Sequence, residues 1–170
     1  MNFNRTILHN LNEWKTSPIR KPLILRGARQ VGKTTLIKQF AQSYEYCILL
    51  NLEKPEHKKI FDDFTDVKTI LEALFLLNNI PSTSINKTLL FIDEIQESPK
   101  AIHLLRYFYE ELPELHVIAA GSLFEFAIRN VQSFPVGRVE FLYMHPLNFQ
   151  EYIQAVGNSK ALEQLNNVPV

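Results

Sequence analysis

Short runs of consecutive apolar residues alternate along the chain with longer stretches of helical period, the pattern of strands and crossover helices in a parallel sheet. The runs that read as strands cover residues 23–26, 46–50, 89–92, 116–120 and 139–143. Several are apolar at successive positions rather than at every second one, as expected where helices cover both faces of the sheet. Between them, Leu36, Ile37, Phe40, Ala41 and Tyr44 share one face of a helix that begins near Lys33. Val67, Ile70, Leu71, Leu74 and Leu77 repeat the spacing after Asp66, a residue type that caps helix starts. Ser98 followed by Pro99 reads as cap and first helical position of a helix that turns Ile102, Leu105, Phe108 and Leu112 inward and stops at Pro113. Two further helices are expected over 123–130 and 148–156, with a short amphipathic segment over 7–14 ahead of the core. The expected organisation is one domain over 1–170, with its core over 18–156 and a polar, weakly patterned tail over 157–170.

The first strand runs into Gly27-Ala28-Arg29-Gln30-Val31-Gly32-Lys33-Thr34, a match to G-x-x-x-x-G-K-[ST] placed between a strand and a helix start. Glycines at such a corner let successive backbone N–H groups converge, and the new helix adds the positive end of its dipole. A polyphosphate fits that concavity. On this pattern Lys33 reaches the β- and γ-phosphates, Thr34 ligates Mg²⁺, and Thr35 holds the first helical turn or the α-phosphate. About 60 residues later the strand Leu89-Leu90-Phe91-Ile92 ends in Asp93-Glu94. Asp93 is then the candidate for the Mg²⁺ shell, and Glu94 the candidate that orients and polarises an attacking water.

Two more candidates follow. Ser122 comes directly after the fourth strand, where its hydroxyl can contact the γ-phosphate, the attacking water, or the N-terminus of the next helix. Arg138, just before the last strand, is a candidate for stabilising transition-state charge in its own or a neighbouring subunit. Arg26 and Arg29 flank the loop and are expected to face solvent or a partner. The five histidines are scattered without metal-ligand spacing.

Composition narrows the field. Among 170 residues, 18 Lys and Arg balance 18 Asp and Glu, so no whole-molecule field draws the protein to nucleic acid or an acidic membrane. Lys54, Lys58 and Lys59 form a modest cluster without a reading motif, which leaves nucleic-acid binding unsupported. One cysteine, Cys47, excludes an internal disulfide, and no apolar run reaches the ~20 residues a membrane span needs. With no leader pattern at the start, the expected location is the cytoplasm.

The strings Arg26 to Thr35, Leu90-Phe91-Ile92-Asp93-Glu94-Ile95-Gln96, Ala120-Gly121-Ser122, Gly137-Arg138 and Pro146-Leu147-Asn148-Phe149-Gln150-Glu151-Tyr152 resemble the prokaryotic AAA-type P-loop ATPase family. Its members usually carry a C-terminal domain of unknown function. The resemblance spans residues 21–152 and implies a three-layer α/β sandwich. Its five-stranded parallel sheet has the order 5-1-4-3-2, that of the additional-strand, catalytic-glutamate P-loop type. It implies Gly27, Ala28, Arg29, Gln30, Val31, Gly32, Lys33, Thr34 and Thr35 as nucleotide-binding residues, Thr34 and Asp93 at Mg²⁺, Glu94 as catalytic and Ser122 as sensor-like. The implied function is ATP hydrolysis coupled to a protein partner or a further domain, in a possible oligomer. The helical lid and the usual second domain are expected to be absent from these 170 residues. A small P-loop kinase and a non-hydrolysing, nucleotide-dependent interaction module are the alternatives.

Overall fold

The computed structural model describes residues 5–121, 134–158, 160, 161 and 164. Its elements, in chain order, are α1 (Ile7–Thr16), β1 (Leu23–Arg26), α2 (Lys33–Ala41), β2 (Tyr46–Asn51), α3 (Pro55–Asp63), α4 (Val67–Leu77), β3 (Thr88–Asp93), α5 (Pro99–Glu111), β4 (His116–Gly121), β5 (Glu140–Tyr143) and α6 (Phe149–Ala155). Short 3₁₀ turns at Ser82–Lys87 and Ile95–Glu97 flank β3. All four strand pairings are parallel, and the sheet order is β2-β3-β4-β1-β5. Read from the other edge, that is the expected 5-1-4-3-2.

Alternation along the strands divides the interior into two cores. Ile24, Ile48, Leu50, Leu90, Ile92, Val117 and Ala119 pack against α3, α4 and α5 through Phe61, Ile70, Leu74 and Phe108. Their neighbours Leu23, Leu25, Leu89, Phe91, Ile118 and Ala120 pack against α1 and α2 through Leu11, Trp14, Ile37 and Phe40. Every residue of β3 and β4 is buried, as central strands covered on both faces require. Both ends of β3 and β4 therefore present rigid backbone at the sheet edges.

The caps behave as their residue types dictate. Asp66 accepts from the Thr69 amide at 2.8 Å and Ser98 from the Ala101 amide at 3.1 Å. Asn148 and Glu151 form a reciprocal capping box that starts α6. Two features depart from the sequence pattern. Helix α1 is part of the second core, with Leu11 fully buried and the Trp14 indole donating to the Lys21 carbonyl at 2.8 Å. Helix α3, opened by Pro55, has only Ile60 and Phe61 as apolar residues, and Phe61 alone is fully buried. The expected helix over 123–130 lies outside the described residues, as does most of the tail.

Candidate functional site

The carboxyl ends of β1, β4 and β3 lie side by side, and the loop after β1 turns directly into α2. Open parallel sheets collect ligands at this edge, where the strand order reverses. The loop backbone is unusual in the way its sequence predicts. Gly32 has φ 96° and caps α2, while Gln30 enters the left-handed region at φ 65° without being glycine. Gly27 needs its missing side chain for a different reason. A Cβ there would collide with the Met144 carbonyl, because the chain leaving β5 crosses over the loop. The Met144 amide donates to the Arg26 carbonyl at 2.7 Å and holds that crossing in place.

Lys33 is 7% exposed, and its Nζ donates to the carbonyls of Gly27 (2.8 Å) and Ala28 (2.9 Å). The ammonium therefore sits across the mouth of its own loop. Burial lowers its pKa, while the Glu94 and Asp93 carboxylates pull it back up. Thr34 is the hinge between the two motifs: its hydroxyl donates to Asp93 Oδ2 at 2.7 Å, joining the first turn of α2 to the end of β3. Asp93 is 8% exposed, and its Oδ1 accepts the Glu94 amide at 3.1 Å. Glu94 is half-buried and held at φ 51°, ψ 46°, a left-handed conformation that costs an L-residue ~1–2 kcal/mol. Strain of this kind concentrates at functional sites. The Gln96 amide donates to Glu94 Oε2 at 2.5 Å.

A hydroxyl and a carboxylate, both hard oxygen donors meeting at a strand-to-helix corner, suit Mg²⁺, which takes few protein ligands and completes its shell with water and phosphate. Among the described residues no cluster of three or more His, Cys, Asp or Glu offers a self-sufficient metal cage. Beside the loop lies a cavity of about 350 Å³, lined by Arg5, Gln30, Thr35, Gln39, Met144 and Leu147 among others. Its size is that of a small-ligand site.

Of the residues singled out from sequence, the structure brings together Gly27 to Thr35, Asp93 and Glu94. Ala28, Arg29 and Gln30 are exposed at the loop's outer turn. Ser122 lies outside the described residues; Gly121, which precedes it, ends β4 between β1 and β3. Arg138 is not brought to the loop of its own chain. It precedes β5, two residues before Glu140, whose amide donates to the Pro22 carbonyl just ahead of β1, and its guanidinium pairs with Glu110 at 3.2 Å. That is the opposite edge of the sheet. Arg26 is half-buried at the surface, its guanidinium 4.3 Å from the Phe141 ring and donating to the Tyr143 hydroxyl at 2.6 Å, with both aromatic rings partly exposed.

Two groups near the loop carry no motif of their own. Arg5 donates to the carbonyls of Val31 (3.5 Å) and His145 (2.5 Å) and pairs with Glu151 at 3.4 Å, with both side chains 9% exposed. Thr6 donates its amide and hydroxyl to the same Glu151. The start of the chain, the loop after β1 and α6 are thereby tied into one knot. Gln96 was visible only as a residue two positions beyond the acid pair, without a role.

A family model described as AAA domain matches residues 19–153 of the chain. No curated protein matches the chain.

Proposed function

The chain belongs to the AAA domain family, and on that premise we propose that it binds Mg²⁺ and ATP at the Gly27 to Thr35 loop and hydrolyses the ATP. The observation that carries the reading is the 2.7 Å contact between Thr34 and Asp93, which unites the two motifs at one corner. In this reading the loop amides and the amino end of α2 take the phosphates. Lys33 exchanges its bonds to the Gly27 and Ala28 carbonyls for phosphate oxygens. Thr34 and Asp93 hold the cation, which supplies charge neutralisation at the phosphates. Glu94 accepts the proton of the attacking water and fixes its direction. Ser122, one residue beyond the end of β4, supplies a hydroxyl to the γ-phosphate or to that water. The cavity beside Thr35 receives the nucleoside end. Arg138, at the far edge, serves a nucleotide only if it is one bound by a neighbouring subunit.

Coupling to a partner protein or further domain is part of the proposal, and the Arg5 knot supports it. One guanidinium touches the Val31 carbonyl of the loop and the Glu151 carboxylate of α6, so movement of the loop loads the helix. Phosphate release from ATP tests the chemistry. With Mg²⁺ and no added acceptor, the chain releases phosphate; release that needs an acceptor would make it a kinase, and tight ATP binding without release would make it a binding module.

A further inference from the structure

Beyond this site lie exposed apolar residues on α6, a basic stretch on α3 and a buried His116 near Tyr44 and Trp14, none with anything to say what binds there. The side chain of Gln96 is different. Its Nε2 donates to Glu94 Oε2 at 2.5 Å, while its Oε1 is buried with no hydrogen-bond partner among the described residues. The amide orientation is set by charge, since turning the oxygen toward the carboxylate would oppose two acceptors. Among the described residues Gln96 therefore leaves a buried acceptor unpaired while its donor is aimed at Glu94, and such acceptors are rare enough to need a reason.

Gly121 supplies a second, independent observation. An ideal Cβ at Gly121 would stand 2.5 Å from Gln96 Oε1, with Gln96 Cδ next at 3.6 Å and Ile95 Cγ2 at 3.7 Å. The Gly121 backbone is not in the left-handed region, so the chain path itself accepts an L-residue there. What the absent side chain leaves room for is the Gln96 amide. The end of β4, the turn after β3 and the Glu94 carboxylate are thus built around one another.

We propose that Gln96 is a positioning residue for Glu94: it occupies one carboxylate oxygen, fixes the side chain on its strained backbone, and leaves the other oxygen for the attacking water. The inference rests on the hydrolytic reading of the site and specifies what orients its base. Gln96 touches no reacting atom. Its loss changes the fraction of time Glu94 is correctly aimed and so acts on kcat rather than on nucleotide affinity.

The test is steady-state phosphate release from ATP with Mg²⁺, together with binding of a non-hydrolysable ATP analogue. It is run on the wild-type chain, Gln96→Ala, Gln96→Met, Gly121→Ala and the Gln96→Ala/Gly121→Ala double variant. Gln96→Met keeps the volume and removes the amide. The expected result is a kcat lowered about tenfold to a hundredfold in all four variants, with KM and analogue affinity unchanged. The Gly121→Ala substitution adds nothing once Gln96 is Ala, because the residue it displaces is gone. Recovery of kcat by Gln96→Met would assign Gln96 to packing and overturn the proposal. So would wild-type kcat in Gln96→Ala, or full additivity in the double variant. Absence of phosphate release by the wild-type chain would instead remove the hydrolytic reading, and this proposal with it.

Discussion

Removing the Glu151 carboxylate should unfasten the knot that ties the chain start and the phosphate loop to α6. One carboxylate oxygen accepts from the Thr6 amide at 2.9 Å and the Thr6 hydroxyl at 3.0 Å; the other accepts from the Asn148 amide at 3.1 Å and pairs with Arg5 at 3.4 Å. Glu151→Ala leaves all four donors short, and one of them is a guanidinium only 9% exposed. Breaking one partner of a buried pair costs ~3–5 kcal/mol, and the lower end applies at a chain start that water can reach after local rearrangement. At ~2–4 °C per kcal/mol for a chain of this size, Tm falls by roughly 6–12 °C. Asn148→Ala, which removes only the cap, costs ~1 kcal/mol and therefore ~2–4 °C.

The pH dependence adds a sign. Burial pushes the Glu151 pKa up, but the Thr6 and Asn148 donors and the Arg5 charge outweigh it, leaving the value below the ordinary 4.5. A depressed folded-state pKa gives stability that is full above the unfolded value and lost as pH falls through the folded one. The Tm gap between wild type and Glu151→Ala is thus widest near neutral pH and closes below the ordinary carboxylate range. Thermal unfolding followed by far-UV circular dichroism at both pH values measures it. A Glu151→Ala Tm within ~2 °C of wild type at neutral pH would refute the reasoning.

Other substitutions report on the loop. Lys33→Met removes an ammonium that makes two bonds to carbonyls and would make charge-assisted bonds to phosphate; the Kd for ATP rises ~10–100-fold by isothermal titration, and an unchanged Kd would count against the phosphate site. Gln30→Gly relieves a left-handed residue at an exposed position, a gain of ~1–2 kcal/mol partly offset by ~0.4–1 kcal/mol through the unfolded chain, so Tm rises by ~2 °C. A lower Tm would mean that the Gln30 side chain makes a compensating contact.

The sheet was legible because its strands are apolar at consecutive positions and its loop carries a pattern with one mechanical meaning. Asp66 and Ser98 announced their helices, since their side chains have a local job that sequence spacing reveals. Helix α3 was not legible: its segment is mostly charged, and fully buried Phe61 with partly buried Ile60 anchors it through tertiary packing. The roles of Gln96 and Arg5 depend on partners brought in by the fold, Gly121 and Glu151, and no periodicity encodes those meetings. Arg138 shows the converse. A residue that precedes a strand of a parallel sheet stands at its amino edge, so its distance from the loop follows from topology, whatever its neighbours in sequence suggest.

The claim on which the rest depends is that one corner of the sheet both holds ATP and attacks it, with Glu94 needed only for the attack. The direct measurement compares wild type and Glu94→Gln in two assays on the same preparations, ATP affinity and phosphate release. Glu94→Gln is expected to bind ATP with equal affinity and to release phosphate ~100-fold or more slowly, because the amide keeps the shape of the carboxylate and cannot take the proton. Release at the wild-type rate by Glu94→Gln would contradict the claim.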